Sequence, residues 1–234
     1  MTGAQRKMLQ LGLIPVIALV LGGAVVTVST IGGKLDYNYS TTLDKPFDGV
    51  TITAEMEVEV TPSTDDKVHV ALSGTYTEHE PTIDVRKSVA EKEVEIGANC
   101  GGYNCRLTLA VALPSSTRLS ISASGASVNL VQLNGPLQIT ADNGSVNGVR
   151  LKSETVSVSS QSGSVDLGFD RAPTNVEATT SNGSLQLLVP GTAAYAIDAT
   201  AVHGSTEINV NNDLNSSNQL HLRTTNGSIT VDSN

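Results

Sequence analysis

The chain has 234 residues, enough for one large or two small domains. It carries 14 Lys plus Arg against 23 Asp plus Glu, a net charge of −9, and an acidic chain repels phosphate backbones, which argues against nucleic acid as a partner. Aromatic residues are 3% and Trp is absent, so a core has to be built from Val, Ile, Leu and Ala, which suits thin stacked layers better than a bulky globular centre.

Residues 8–33 carry no charge, and their apolar centre, residues 11–31, is 21 residues long. At about 1.5 Å per residue such a helix reaches roughly 30 Å, the hydrocarbon thickness of a bilayer. Pro15 and Gly22-Gly23 are tolerable in a membrane helix. A secretory signal has a shorter apolar region and ends in a small-x-small cleavage site. Here the run is longer and no Ala-x-Ala follows it, and no Cys stands near its end to make a lipoprotein signal. Residues 1–33 are therefore expected to form a short cytoplasmic tail and a single-pass transmembrane helix. Arg6 and Lys7 flank it on one side, Lys34 and Lys45 on the other. That bias is modest, but the long C-terminal part is the better candidate for export. The expected address is the cell membrane, with the C-terminal domain extracytoplasmic.

Residues 34–49 are polar and read as a linker. From Val50 apolar residues alternate: Val50, Ile52 and Ala54; Met56, Val58 and Val60; Val68, Val70 and Leu72; Val94 and Ile96; Leu107, Leu109 and Val111. That is the period of half-buried strands, with turns expected at 62–66 and 78–81. Residues 50–117 thus form a β-rich lead-in that caps the C-terminal half of the chain. Within it, Cys100 and Cys105 frame a Gly-rich stretch between strands expected at 91–97 and 106–112. The pair suits a disulfide across a hairpin, which persists in an oxidising compartment. The short loop contributes about 2 kcal/mol by loop entropy. No further thiolate or histidine stands near enough in sequence for a metal site, and the spacing is not Cys-x-x-Cys.

Residues 118–234 repeat. The corner residues Ala126, Gly144, Gly163, Gly183, Gly204 and Gly227 are each followed by Ser, and their numbers differ by 18, 19, 20, 21 and 23. Seven before each corner stand Leu119, Leu137, Val156, Val176, Ile197 and Leu220; five before, Ile121, Ile139, Val158, Ala178, Ala199 and Leu222. Three before are the small residues Ala123, Ala141, Ser160, Thr180, Ala201 and Thr224. Two after stand Val128, Val146, Val165, Leu185, Thr206 and Ile229; four after, Leu130, Gly148, Leu167, Leu187, Ile208 and Val231. Gly148 breaks the last row, and Val149 and Leu151 are expected to serve there across a bulge. The pattern predicts two short strands per repeat joined at a Gly corner of positive φ. The expected fold is all-β: a β-solenoid or β-helix-like array with a β-rich N-terminal lead-in, each coil stacked on the last. Asn-Gly at a corner is also a hairpin signal, which leaves an antiparallel β-sandwich as the alternative.

An apolar N-terminal segment, a β-rich lead-in and repeated Asn/Ser-Gly-Ser-Val/Leu/Ile-x-Leu/Val/Ile units together resemble a family of bacterial envelope proteins. These are the membrane-anchored, adhesin-like β-strand-repeat proteins, similar to the head domain of autotransporter adhesins. The resemblance covers residues 50–231. It implies an extracytoplasmic β-solenoid-like fold and brings no catalytic residues.

Motifs for chemistry are few. The histidines are His69, His79, His203 and His221, with no His-Glu-x-x-His and no Gly-x-Ser-x-Gly. Gly163 to Leu167 weakly resembles calcium-binding nonapeptides, but the aligned positions are Asn129, Asn147, Asp166, Gln186, Glu207 and Thr230 rather than a row of Asp, so a solvated face is expected. The stretch Leu113-Pro114-Ser115-Ser116-Thr117 reads as a turn, and the Asn-Gly-Ser triplets read as corners. No enzymatic activity, metal or cofactor is expected. Four before each corner, on the outward face, stand Ser122, Thr140, Ser159, Thr179 and Thr200, with Arg223 in the last repeat. Stacked coils would make these a flat hydroxyl ladder, suited to an envelope glycan or another surface polymer or protein. A membrane-tethered, non-catalytic adhesin-like module is the leading functional reading. A sensory or regulatory envelope-stress protein is the alternative. A polysaccharide-cleaving β-helix enzyme ranks below both, because it needs clustered carboxylates and the acids here are scattered.

Overall fold

The computed structural model describes residues 17–21, 24–31, 34–88, 90, 92–102 and 105–234, and every regular element among them is a strand. Strands β1 (Ile17–Leu21), β2 (Ala24–Ile31) and β3 (Lys34–Leu43) come first. Next, β4 (Gly49–Ala54) and β5 (Glu57–Pro62) form one coil. Two further strands come after it, β6 (Val68–Tyr76) and β7 (Thr82–Ser88), then a second coil of β8 (Glu93–Asn99) and β9 (Arg106–Leu113). The repeats supply β10 (Arg118–Ala123) and β11 (Val128–Val131), then β12 (Leu137–Asn143) and β13 (Val146–Leu151), then β14 (Thr155–Ser162) and β15 (Val165–Phe169). The last are β16 (Asn175–Asn182) and β17 (Leu185–Val189), β18 (Ala196–His203) and β19 (Thr206–Ile208), and β20 (Gln219–Asn226) and β21 (Ile229–Ser233).

Each coil gives its first strand to one sheet and its second to the other. The coil strands pair in parallel, in the register the repeats imply: Leu119 with Leu137, Ile121 with Ile139, Val146 with Val165 and Leu185 with Ile229. This is a β-solenoid. The Gly-Ser corner carries the chain between sheets instead of folding it back within one, which excludes the antiparallel sandwich for the array. The alternating residues meet between the sheets, where Val156, Val176, Leu187, Leu220 and Val231 have no exposed surface. The span from row to corner to row is constant, and the drift in repeat length falls after it, in a register shift within β13 and in the return connections, the longest of which is 209–218.

Stacking departs from chain order at both ends. Strand β20 lies between β16 and β18, and β21 between β17 and β19, so the last repeat is wedged between the two before it. At the other end β4 lies between β8 and β10, and β5 between β9 and β11. Residues 50–117 are therefore more than a cap: they supply two full coils in register with the repeats, Val50 with Leu119 and Val58 with Val128. Antiparallel β7 closes that end of one sheet, and β6, β3, β2 and β1 extend the other. The far end closes differently. In the β18–β19 coil Ile197 stays buried, but Ala199, Ala201 and Ile208 are only partly buried and Thr206 is exposed, a solvent-facing terminal repeat.

Three sequence expectations are corrected. The helix read across residues 11–31 is not formed where the chain is described: Ile17–Leu21 pairs antiparallel with Ala24–Ile31, and no helix among the described residues is long and apolar enough to cross a membrane. Val25, Val26, Thr27, Val28, Thr30 and Ile31 are β-branched and favour a strand once an edge is offered by β3. Residues 1–16, 22–23 and 32–33 of the expected tail and anchor lie outside the described residues. The stretch read as linker holds β3, paired with β6 through nine registered positions from Leu35–Tyr76 to Leu43–Val68. Finally, β8 and β9 lie in different sheets, so Cys100 and Cys105 do not cross a hairpin. They are bonded across a coil corner, with Cα atoms 6.0 Å apart.

The stack can be tested by two measurements. Leu187→Ala is expected to lose about 2–5 kcal/mol, and hydrogen exchange should rise first in β15 and β21, which flank β17, before the more distant β19. Earliest loss in β19, the next strand of that sheet in sequence, would contradict the permuted order. Gly183→Ala is expected to cost about 1–3 kcal/mol in urea melts, because its new Cβ would lie 2.2 Å from the Gly163 carbonyl oxygen. The exposed control Gln186→Val should cost under about 0.5 kcal/mol; equal losses would refute the corner account.

Candidate functional site

The corners are where the coils come closest. A Cβ on Gly144 would meet the Ala126 carbonyl oxygen at 2.1 Å, one on Gly163 the Gly144 oxygen at 2.2 Å, one on Gly227 the Gly183 oxygen at 2.0 Å, and one on Gly204 the Gly227 oxygen at 1.9 Å. Glycine is needed here for backbone contact between coils. Positive φ, expected at every corner, occurs at Gly144, Gly163 and Gly227 but not at Gly183 or Gly204. Ala126 keeps its side chain because it faces the shorter corner of the β4–β5 coil: Ala123 and Val128 pair with Ala54 and Val58, which are one residue nearer each other. The small-residue row has a second task. Thr180 Oγ1 donates to the Gly163 carbonyl at 3.0 Å and Thr224 Oγ1 to the Gly183 carbonyl at 2.8 Å, so buried hydroxyls satisfy corner oxygens.

The expected hydroxyl ladder is assembled on the outer face of the nine-stranded sheet. Ser122 pairs with Thr140, Thr140 with Ser159 and Ser159 with Thr179, and the row extends through Ser122 to Thr53 on β4. Thr200 is not beside Thr179 as chain order implied. Arg223 stands between them, because β20 is inserted between β16 and β18. Its guanidinium is paired with the Asp198 carboxylate and donates to the Asp198 carbonyl at 3.0 Å. This holds the Asp198 carboxyl below the usual carboxylate range, with His221 adding to the effect. A shallow hollow of about 340 Å³ opens here, among Ser159, Thr179, Thr200, Val202 and Arg223. The face is thus a run of hydroxyls interrupted by a paired guanidinium, with Thr200 beyond it.

A cluster that no sequence motif announces lies on β3, β6 and the turn that precedes β6. Thr42 Oγ1 is 3.1 Å from His69 Nδ1, and His69 Nε2 is 2.9 Å from Asp65 Oδ1. The His69 hydrogen bond holds the Asp65 carboxyl below its usual range. Although this is a hydroxyl–imidazole–carboxylate chain, His69 and Asp65 are 43% and 42% exposed, on an open strand face without the enclosure that acyl transfer requires. It depends on the cross-strand register of Thr42 and His69, which is set by tertiary pairing. Among the described residues no group of His, Cys, Asp or Glu is arranged to hold a metal ion.

No curated protein matches the chain. Among solved structures it is similar to a candidate cell adhesion protein from Clostridium sporogenes, 15% identical over 84% of this chain and 99% of that one, with a TM-score of 0.52. Candidate adhesins from Bacteroides fragilis and Parabacteroides merdae align over 84% of this chain at 13% and 12% identity, covering 97% and 96% of those chains, with TM-scores of 0.36 and 0.33. At these identities the first likeness shows a shared fold, and the other two add nothing to it. The model of the DUF4097 family, the Toastrack domain, matches residues 115–232, the span from the entry to β10 through β21. With half of its length matched, the chain belongs to the Toastrack DUF4097 family.

Proposed function

We propose that this protein is a non-catalytic, adhesin-like module of the cell envelope, held at a membrane, whose nine-stranded sheet binds a surface polymer or protein. The observation that carries the reading is the ladder Thr53, Ser122, Thr140, Ser159 and Thr179, repeated at the strand spacing of about 4.8 Å. A flat row of hydroxyls on a rigid sheet presents equivalent hydrogen-bonding groups along one line, which suits an extended polymer with repeated polar groups. The description of the Clostridium sporogenes structure as a candidate cell adhesion protein supports this use of the fold. An extracytoplasmic address is supported by the Cys100–Cys105 bond, which an oxidising compartment preserves. Membrane attachment is supported by the uncharged run of residues 8–33. In a bilayer that run has to satisfy its own backbone groups, as a helix does. Insertion therefore requires β2 to leave β3, which then becomes the outermost strand of its sheet and keeps its pairing with β6.

Protease added to intact spheroplasts is expected to digest the domain; protection until lysis would refute the address. For the face, Thr140→Glu combined with Thr179→Glu places two carboxylates in the ladder without touching the core. The folded double variant should lose capture of envelope polymer in a pull-down with the full-length protein. Undiminished capture, with wild-type melting behaviour, would remove the ladder as the binding surface.

A further inference from the structure

The second sheet carries a feature that the repeat pattern does not require. In β13 the register shifts between Gly148 and Leu151: Gly148 faces Leu167 and Leu151 faces Phe169, so Val149 and Arg150 together oppose the single residue Gly168. This is a β-bulge, and Arg150 takes a φ of 54° within it. Leu151 is fully buried and restores the core row, while Val149 turns outward, 51% exposed. On the other flank Gly168 pairs with Leu188, which is 40% exposed. The result is a trough of about 370 Å³ with Gly168 in its floor and Val149 and Leu188 as walls. Asp166 and Asp170 mark its two ends along the strand, and Asn147 and Gln186 flank Asp166 on the neighbouring coils. Arg150, Asp166 and Asp170 have no ion-pair partner among the described residues, so the rim carries one free guanidinium and two free carboxylates.

We infer that this trough is a binding site for a neutral saccharide unit. A pyranose ring has one apolar C–H face and a perimeter of hydroxyls. The Gly168 floor and the two aliphatic walls suit the face. The carboxyl and amide groups of Asp166, Asn147 and Gln186, with the guanidinium of Arg150, suit the perimeter, because such planar groups bind neighbouring hydroxyls two at a time. The excess of carboxylate on the rim selects against anionic ligands. The volume falls in the range of small-molecule sites, and a few polar groups converging on an apolar floor are their common anatomy. Partial burial lifts the Asp166 carboxyl above the usual carboxylate range. The site lies on the opposite sheet from the hydroxyl ladder and does not depend on it.

The test uses the full-length, isotope-labelled protein and the methyl glycosides of glucose, galactose, mannose and N-acetylglucosamine, each titrated to its solubility. At least one is expected to shift the amide signals of Gly148, Val149, Asp166, Gly168 and Gln186 saturably. Asp166→Ala should weaken that binding about tenfold, the equivalent of about 1.4 kcal/mol. Gly168→Val is the decisive variant. A Cβ on Gly168 meets only the Gly148 carbonyl oxygen, at an ordinary 3.6 Å, so the variant should fold as the wild type does while its side chain fills the trough. It should lose the shifts entirely. The inference is overturned if no glycoside shifts these amides, if binding survives in folded Gly168→Val, or if only an apolar probe such as a detergent occupies the trough.

Discussion

The contact on which this structure depends is backbone against backbone at the corners. Each corner glycine sits on the carbonyl of the coil beside it, leaving no room for a Cβ. That contact sets one coil directly over the next, so the inward rows coincide and Val, Leu and Ile bury against their own kind in the adjacent coil. Removing water from those rows supplies the main stabilisation. The close approach also leaves corner carbonyls facing inward, and the hydroxyls of Thr180 and Thr224 answer them. A row that looks merely small is therefore both small and hydrogen-bonding.

Parallel stacking leaves open ends, and the chain treats them by permutation. Because the first and last coils in sequence are each wedged between two others, neither chain end of the array lies on an exposed edge. Opening β21 means breaking its pairing with both β17 and β19. The coil left outermost, β18 and β19, is the one in which an exposed Thr206 stands where the other repeats bury Val, Leu or Ile. The opposite end is finished by antiparallel strands, whose side chains include the charged Asp84, Arg86 and Lys87 on β7, residues that discourage further strand addition.

The same regularity shapes the surfaces. Where register is undisturbed, outward residues form continuous rows, as in the hydroxyl ladder and in the Asn147 amide donating to Asn129 at 3.0 Å. Where it is disturbed, at Gly148, a row opens into a trough. One face thus offers repetition and the other a single local hollow, two kinds of surface from one scaffold.

The fold class, the corner positions, the inward rows and a bulge at Gly148 were legible in the sequence, because strand periodicity and the glycine corners are local properties that recur at fixed offsets; at the bulge only Leu151 serves the core, while Val149, expected to serve with it, turns outward. The ladder residues Ser122, Thr140, Ser159 and Thr179 were legible for the same reason. Three matters were decided only by tertiary structure. The order of stacking, which places Arg223 between Thr179 and Thr200, depends on which coil fits beside which, and equivalent repeats do not encode their neighbours. The pairing of residues 34–43 with β6, and the path of the Cys100–Cys105 segment across a corner, depend on edges supplied by distant strands. Residues 17–31 show the limit most clearly: an uncharged, β-branched run satisfies either a bilayer or a sheet edge, and its partner, not its composition, selects between them.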